Sequence, residues 1–343
     1  MSLRSVLHNS HIPHRGAACL LAAAVLLSAC TPSTDPPSTA SHAVVTQTSG
    51  AGWPRTIDTP RGALTLARAP QRIVSTSVTL TGTLLTIDAP VVASGATRAN
   101  SSVSDTQGFF RQWGDVAQAR GVTPLYQGEA DAEAIVAAEP DLVVIAGTGG
   151  DSALKLYDQL AQVAPVLVVN YDDKSWQELA VLLGRATGRD TQAAKAIDTF
   201  AADVARTRAA LALPPQPVTA LAYYEDDSGA NLWTSESAQG RLLADLGFTL
   251  APIPDGVRGD FSMGRRKDIV QLSGETFPQG LTGATLLLFS ADDADTARLR
   301  ANPFLAANAA VQAGRVHALG TDTFRLDYYS SRHLLARLRE RFH

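Results

Sequence analysis

Near the middle of the chain, Asp190 to Leu213 reads as one uninterrupted helix. Asp190 is the expected N-cap, Ile197, Phe200, Ala201, Val204 and Leu211 recur at three- and four-residue steps, and Pro214-Pro215 stops the pattern. At 1.5 Å per residue such a helix is about 35 Å long, roughly the diameter of a small domain. It separates two stretches of similar length in which short apolar runs alternate with helical patterns, the mark of βαβ units. In the first stretch the candidate strands are Arg72 to Ser75, Val91 to Ser94, Leu142 to Ala146 and Val166 to Asn170, with a helical face of Ala134, Ile135 and Ala138 between them. In the second they are Val218 to Tyr224, Leu286 to Phe289 and Val316 to Leu319. The expected fold is therefore α/β: two Rossmann-like lobes joined by one long α-helix. No sequence repeat relates the two halves.

Composition narrows the function classes. The 343 residues are 45% hydrophobic and 18% charged, enough for a large core and too polar for a polytopic membrane protein. Lys and Arg total 29 against 33 Asp and Glu, a net charge of −4 that argues against a general polyanion binder, nucleic-acid coats included. Both cysteines, Cys19 and Cys30, fall in the first 30 positions, so the folded part can have neither a disulfide nor a thiolate metal site.

The start of the chain reads as an export signal. Arg4 and Arg15 supply a positive n-region, and Ala17 to Leu27 is an apolar run too short for a transmembrane span of about 20 residues. Leu27-Ser28-Ala29-Cys30 resembles the lipobox of bacterial lipoproteins, in which the cysteine becomes the lipid-bearing first residue; an ordinary secretory signal with a chance cysteine is the plainer alternative. Thr31 to Gly52, rich in Ser, Thr, Pro and Gly, has the composition of a flexible tether. The expected organisation is a signal peptide over 1–29, a tether over 30–52, a first lobe over 53–188, an interlobe helix over 189–213 and a second lobe over 214–343. Loss of 1–29 leaves 27 basic against 33 acidic residues, a net charge of −6. It also removes His8, His11 and His14; His42, His317, His333 and His343 are too scattered for a histidine metal site.

Two α/β lobes on one long helix, exported and tethered, resemble the class III solute-binding proteins of ABC importers, the siderophore and vitamin-B12 type. Pro70-Gln71-Arg72-Ile73-Val74-Ser75, Glu129 to Ile135 followed by Pro140-Asp141-Leu142-Val143, and Gly314-Arg315-Val316-His317-Ala318-Leu319 look like motifs of that class. Longer segments are similar to its ferric-enterobactin-binding members. These are Ser77 to Gly82, Gly149 to Leu154, Asn170 to Trp176, Asn231 to Thr234 and Thr323 to Ser330, so the resemblance runs from Trp53 to about Tyr329. It implies a protein that is not an enzyme and has no resident cofactor. Its ligand would be a preformed Fe(III)-siderophore complex of the catecholate type, handed to an importer permease with its ATPase. The chain would be a monomer, held by a lipid on the outer side of the cytoplasmic membrane or in the periplasm.

Chemistry says which residues such a ligand needs. A ferric tris-catecholate is a bulky trianion whose iron is already enclosed, so its receptor needs positive charge and flat apolar surfaces and no metal ligands of its own. Arginine suits this task, because it stays charged, stacks on rings and donates directed hydrogen bonds. In open α/β lobes the loops after the strands frame the cleft. Arg265-Arg266-Lys267 lies in a Gly- and Ser-flanked stretch of the second lobe; a basic triplet is usually a solvated face, and the resemblance selects Arg266, with Arg265 weaker. Arg325, between Phe324 and Leu326, is either a cleft cation or an internal ion pair with Asp322 or Asp327. Trp233 is either core or a stacking surface for a catecholate ring, and Tyr328 is a lesser candidate of the same kind. In the first lobe the resembling proteins carry a pocket arginine near the position of Ser102; here Arg98, four residues earlier, is expected to supply that charge. Glu133 and Glu275 fall where class members present one glutamate per lobe to permease arginines, although each alone reads as an ordinary surface carboxylate.

Rival readings remain on chemical grounds. Gly147-Thr148-Gly149-Gly150 follows a strand as a dinucleotide loop would, but Ser152 stands in the place of the third glycine. No G-x-x-x-x-G-K-[ST], G-x-S-x-G or H-E-x-x-H is present. An exported hydrolase with dispersed carboxylates is one alternative; a binder of a hydroxamate siderophore or haem is another.

Overall fold

The computed structural model describes residues 52–257, 259 and 267–343. It opens with β1 (Arg55–Thr59) and β2 (Gly62–Leu66), an antiparallel hairpin not marked by the apolar periodicity. Ile57 and Leu66 turn inward from it, and Arg55 pairs with Asp190 at 2.6 Å, fastening the hairpin to the start of the long helix.

The first lobe runs β3 (Ile73–Ser75), α1 (Val78–Thr86), β4 (Val91–Ala96), α2 (Arg111–Ala119), β5 (Thr123–Gln127), α3 (Ala132–Ala137), β6 (Leu142–Ala146), α4 (Tyr157–Leu160), β7 (Val166–Val169) and α5 (Trp176–Thr187). Its strands form a sheet in the order β5-β4-β3-β6-β7, parallel throughout. Strands such as Leu142–Ala146 are buried at every residue, as expected where helices cover both faces of a parallel sheet.

The long helix is α6 (Asp190–Ala210), 21 residues and about 32 Å. Arg189 is its N-cap and Asp190 sits in the first turn, where a carboxylate suits the positive end of the helix dipole. It stops at Ala210 because Leu211 is extended, three residues ahead of Pro214-Pro215. Its buried residues are Ala193, Phe200 and Thr207, seven apart, while Ala201 is exposed.

The second lobe runs β8 (Val218–Tyr223), β9 (Gly229–Trp233), α7 (Ala238–Asp245), β10 (Ile269–Ser273), α8 (Thr276–Gly280), β11 (Thr285–Leu288), α9 (Asp293–Ala301), α10 (Ala309–Gln312), β12 (Val316–Ala318) and α11 (Tyr328–Arg341). The sheet order β10-β9-β8-β11-β12 repeats that of the first lobe, but β9 is antiparallel to both neighbours. Every expected strand is present, with ends moved by no more than two residues.

The core explains why the lobes hold together. Val143 and Ile145 face one way, into a cluster with Val74 and Ile135; Leu142, Val144 and Ala146 face the other. That second face belongs to a continuous apolar core shared with Leu84, Trp113, Trp176, Phe200, Val218, Ala220 and Leu334, drawn from both lobes. The second sheet sends its opposite face, including Leu221, Leu286 and Leu288, to a separate cluster. α6 is not the sole bridge: α11 leaves the second lobe and packs on α6, α1 and α2. Trp176 marks the crossing, with Phe200 at 5.2 Å and Tyr328 at 5.3 Å between ring centroids. The far end of α11 returns to the second lobe, where Phe342 meets Phe248 and His317.

Candidate functional site

A solvent-open cleft of about 160 Å³ lies between the lobes. The first lobe lines it with Thr79 and Thr83 of α1, with Phe110 and Gln112 around the start of α2, and with Tyr171, Asp172 and Lys174 after β7. A capping box fixes that last loop: Ser175 accepts from the Glu178 amide, and the Glu178 carboxylate accepts from the Ser175 amide at 2.7 Å. These groups all follow the carboxyl ends of parallel strands, as open α/β sheets favour.

The second lobe reaches the cleft differently. Leu232 pairs with Leu221 and Ala230 with Tyr223, so Trp233, at the carboxyl end of β9, lies level with the amino-terminal half of β8. The reversed strand thereby carries Trp233 and the turn into α7, with Glu236, Ser237, Gln239 and Arg241, to the cleft. Phe324 to Asp327, between β12 and α11, complete the wall. A second hollow of about 190 Å³ shares Phe110, Gln112, Phe324 and Arg325 with the first, so the Phe324-Arg325 pair stands between two compartments of one interlobe space.

Arg325 is exposed, and its guanidinium carbon lies 5.0 Å from the centroid of Tyr171 in the opposite lobe. The two carboxylates that could have neutralised it are engaged elsewhere. Asp322 binds His333 at 2.8 Å and Arg337, and Asp327 caps α11 by accepting from the Ser330 amide at 2.8 Å. Burial pushes Asp322 up, but the hydrogen bonds from His333 and Arg337 outweigh it and hold the carboxyl below its ordinary value. Asp327 is buried, and there burial wins: its carboxyl is raised despite contacts from Ser330 and Gln112.

Trp233 is both core and cleft wall. It is 6% exposed and sits in the shared core, with Phe324 at 5.4 Å and Phe289 at 6.5 Å in edge-on contact, while its rim lines the cleft. Its indole nitrogen is buried without a hydrogen-bond partner among the described residues. The more open ring is Phe324, 38% exposed. In the sequence Phe324 stands out only as the neighbour of Arg325, although a large apolar residue in a loop after a strand is itself a signal of a cleft surface.

Other expected residues are spread more widely. Tyr328 packs against Trp176 and Tyr329 and does not itself line the cleft. Arg98 is exposed on the loop after β4 and does not line the cleft; its carbonyl accepts from the Ser104 hydroxyl at 2.6 Å. The described first-lobe cation of the cleft is Lys174, which pairs with Asp173 at 2.6 Å and lies within the Asn170–Trp176 segment. Arg265, Arg266 and Cys30 lie outside the described residues. Three cations, Lys174, Arg241 and Arg325, line the described cleft together with the carboxyls Asp172, Glu236, Asp268 and Asp327. The described wall thus carries local positive groups and no broad basic field. Among the described residues no three His, Cys, Asp or Glu side chains gather as a metal site would need, and no helix is long and apolar enough to cross a membrane.

Glu133 and Glu275 are both exposed. Glu133 stands in the first turn of α3, just past β5, and Glu275 is the N-cap of α8, just past β10. β5 and β10 are the corresponding edge strands of two sheets with the same order, and each carboxylate follows the carboxyl end of its strand.

Known proteins resemble the chain over most of its length. The family model described as periplasmic binding protein matches residues 73–323. The ferric enterobactin-binding periplasmic protein FepB of Escherichia coli O6:H1 is 56% identical over 292 residues, covering 85% of this chain and 92% of that protein. The crystal structure of holo-ViuP superposes with a TM-score of 0.76 at 34% identity, covering 85% of this chain and 96% of that one. Staphylococcus aureus SirA, crystallised with staphyloferrin B, shares the fold at a TM-score of 0.64 and 17% identity, covering 84% and 99% of the two chains.

Proposed function

This chain belongs to the periplasmic binding protein family, and we propose that its interlobe cleft binds a ferric catecholate siderophore of the enterobactin type and delivers it to an ABC importer for iron uptake. The 56% identity to FepB across 85% of the chain carries this reading. The protein is a binder and not an enzyme, and it works in the periplasm.

The cleft chemistry supports the ligand class. Arg325, which makes no ion pair with a carboxylate among the described residues, offers a charge-assisted donor, and Phe324 with the rim of Trp233 offers flat surface for catecholate rings. Arg266 and, more weakly, Arg265 add second-lobe charge in this proposal. Lys174 is a better placed first-lobe cation than Arg98, since it lines the cleft. The ligand brings its own iron, already coordinated, so the protein supplies charge and stacking and no metal ligand. Tyr328 acts through packing.

The finer assignments complete the cycle. Glu133 and Glu275, one at the equivalent edge of each lobe, dock on permease arginines. Cys30 carries the lipid and 31–52 is the tether. The carrier works as a monomer. The shared core and the two bridging helices favour a modest closure over a wide hinge swing. The deciding experiment is a titration of intrinsic tryptophan fluorescence with ferric enterobactin and with ferric ferrichrome. Quenching by the catecholate is expected; quenching by the hydroxamate alone would overturn the reading.

A further inference from the structure

Gly147-Thr148-Gly149-Gly150 looks from sequence like an incomplete dinucleotide loop, yet the fold uses it to seat a tyrosine. Gly149 has φ +89°, in the region that favours glycine, and a Cβ there would lie 1.7 Å from the Tyr171 hydroxyl. The turn closes on itself, with the Ser152 amide donating to the Gly149 carbonyl at 3.2 Å and the Ser152 hydroxyl to the Ala146 carbonyl at 2.7 Å. It thereby presents Asp151 to three donors: the Tyr171 hydroxyl at 2.7 Å, the Ser77 hydroxyl at 2.5 Å and the Thr79 amide at 3.1 Å.

The charge state suits an anchor. Burial would raise Asp151, but the hydrogen bonds from Ser77, Tyr171 and Thr79 outweigh it and keep the carboxyl below its ordinary value. Tyr171 itself is pushed up to about 12, mainly by burial, so its hydroxyl stays a donor. Only 6% of Tyr171 is exposed, and the face of its ring lies under the Arg325 guanidinium.

We infer that Tyr171, locked by Asp151 and given room by Gly149, is a positioning residue that holds Arg325 across the cleft in the orientation that receives an anionic ligand. This rests on the function proposed above, and it assigns the Gly149–Asp151 turn a role in ligand affinity without contact with the ligand. An exposed arginine otherwise samples many rotamers, and ordering it on binding would cost affinity. A pre-stacked guanidinium has already lost that freedom.

The test is a double-mutant cycle read by ferric-enterobactin titration, with nuclear magnetic resonance of the free protein beside it. Tyr171→Leu should weaken binding about tenfold, within the range of a part-buried cation–π contact. Tyr171→Phe, which keeps the ring, should lose no more than about threefold. In an Arg325→Ala background both substitutions should change affinity by less than about twofold, because additivity fails for residues that act through one another. Equal losses in the two backgrounds would mean that Tyr171 touches the ligand or merely supports the fold, and would overturn the inference. The Arg325 side-chain proton resonances should be shifted upfield by the Tyr171 ring in the wild-type protein and in Tyr171→Phe. That shift should vanish in Tyr171→Leu and in Gly149→Ala while thermal unfolding remains cooperative. Absence of the shift in the wild-type protein would overturn the seat whatever the ligand. Failure of the wild-type protein to bind ferric enterobactin with the shift intact would instead overturn the proposed function.

Discussion

The two lobes share a strand order and differ in one direction. In the first, all five strands are parallel and the cleft groups follow their carboxyl ends; in the second, β9 runs backwards and brings Trp233 to the cleft from the other direction. One reversed strand thus leaves the edge of the sheet equivalent, so that Glu275 still matches Glu133, while it changes what reaches the cleft. The division of labour follows. The first lobe lines the cleft with Thr79, Gln112, the Lys174 ammonium and the ring of Phe110, and the second supplies the Arg325 guanidinium and the rims of Trp233 and Phe324. The lesson is that equivalent topology places equivalent surfaces, whereas ligand chemistry depends on where individual chain ends emerge.

The largest expected effect tests the equivalence. Reversing charge at both Glu133 and Glu275 should bring siderophore-dependent uptake to background while ferric-enterobactin affinity stays within about twofold of wild type, since both carboxylates are exposed and neither lines the cleft. Transport and binding assays on the same variant check this, and combined loss of both would break the equivalence. Next comes the seam between the lobes. Trp176→Ala removes a ring that meets Phe200 and Tyr328, and it should lower stability by about 3 to 5 kcal/mol in a denaturant titration. A single cooperative transition should persist, because the apolar core is continuous across the lobes.

The division of labour itself is tested by charge removal. Arg325→Ala should weaken ferric-catecholate binding about 10- to 100-fold, as expected for a desolvated charge-assisted contact. Lys174→Ala should cost less, since its ammonium is already shared with Asp173 at 2.6 Å, and Arg98→Ala should cost nothing measurable. An Arg98 effect equal to that of Arg325 would return first-lobe charge to the loop after β4.

What the sequence made legible follows the same line. Leu142–Ala146 was readable to the residue because a strand buried on both faces is a continuous apolar run. The bridging helix was readable because its apolar steps and the double proline bound it, although it ends at Ala210 where the backbone turns extended. β1 and β2 escaped notice because their burial is confined to single residues such as Ile57 and Leu66. β5, β9 and β10 were not among the expected strands, and the burial of β9 at four of its five residues shows no period of two that would mark it. The return of α11 to the first lobe was not legible either, because Leu334, Leu335 and Leu338 say that a face is buried and not against what. Arg325 was legible as a residue, but the choice between ion pair and cleft cation depended on where Asp322 and Asp327 point.

Those two carboxylates contrast two environments within one segment. Asp322, held low by His333 and Arg337 against burial, contributes stability that is present above its unfolded value of 3.8 and is lost as pH falls through 3.8 toward the depressed folded value. Asp327, raised by burial, has the opposite sign: its contribution is complete below 3.8 and is lost as pH rises through the folded value. Asp322→Asn removes the buried carboxylate that both His333 and Arg337 hold, so it should lower stability at pH 7 by about 1 to 3 kcal/mol and flatten the acid limb of a melting-temperature profile. Asp327→Asn keeps a good N-cap for α11 and removes a carboxyl that ionises unwillingly, so it should raise the melting temperature at pH 7 and leave it unchanged below pH 3.8. If both variants instead shifted the profile in the same direction, the loop carrying Arg325 would be held by one electrostatic environment, and the contrast drawn between the anchor at Asp322 and the buried cap at Asp327 would fail.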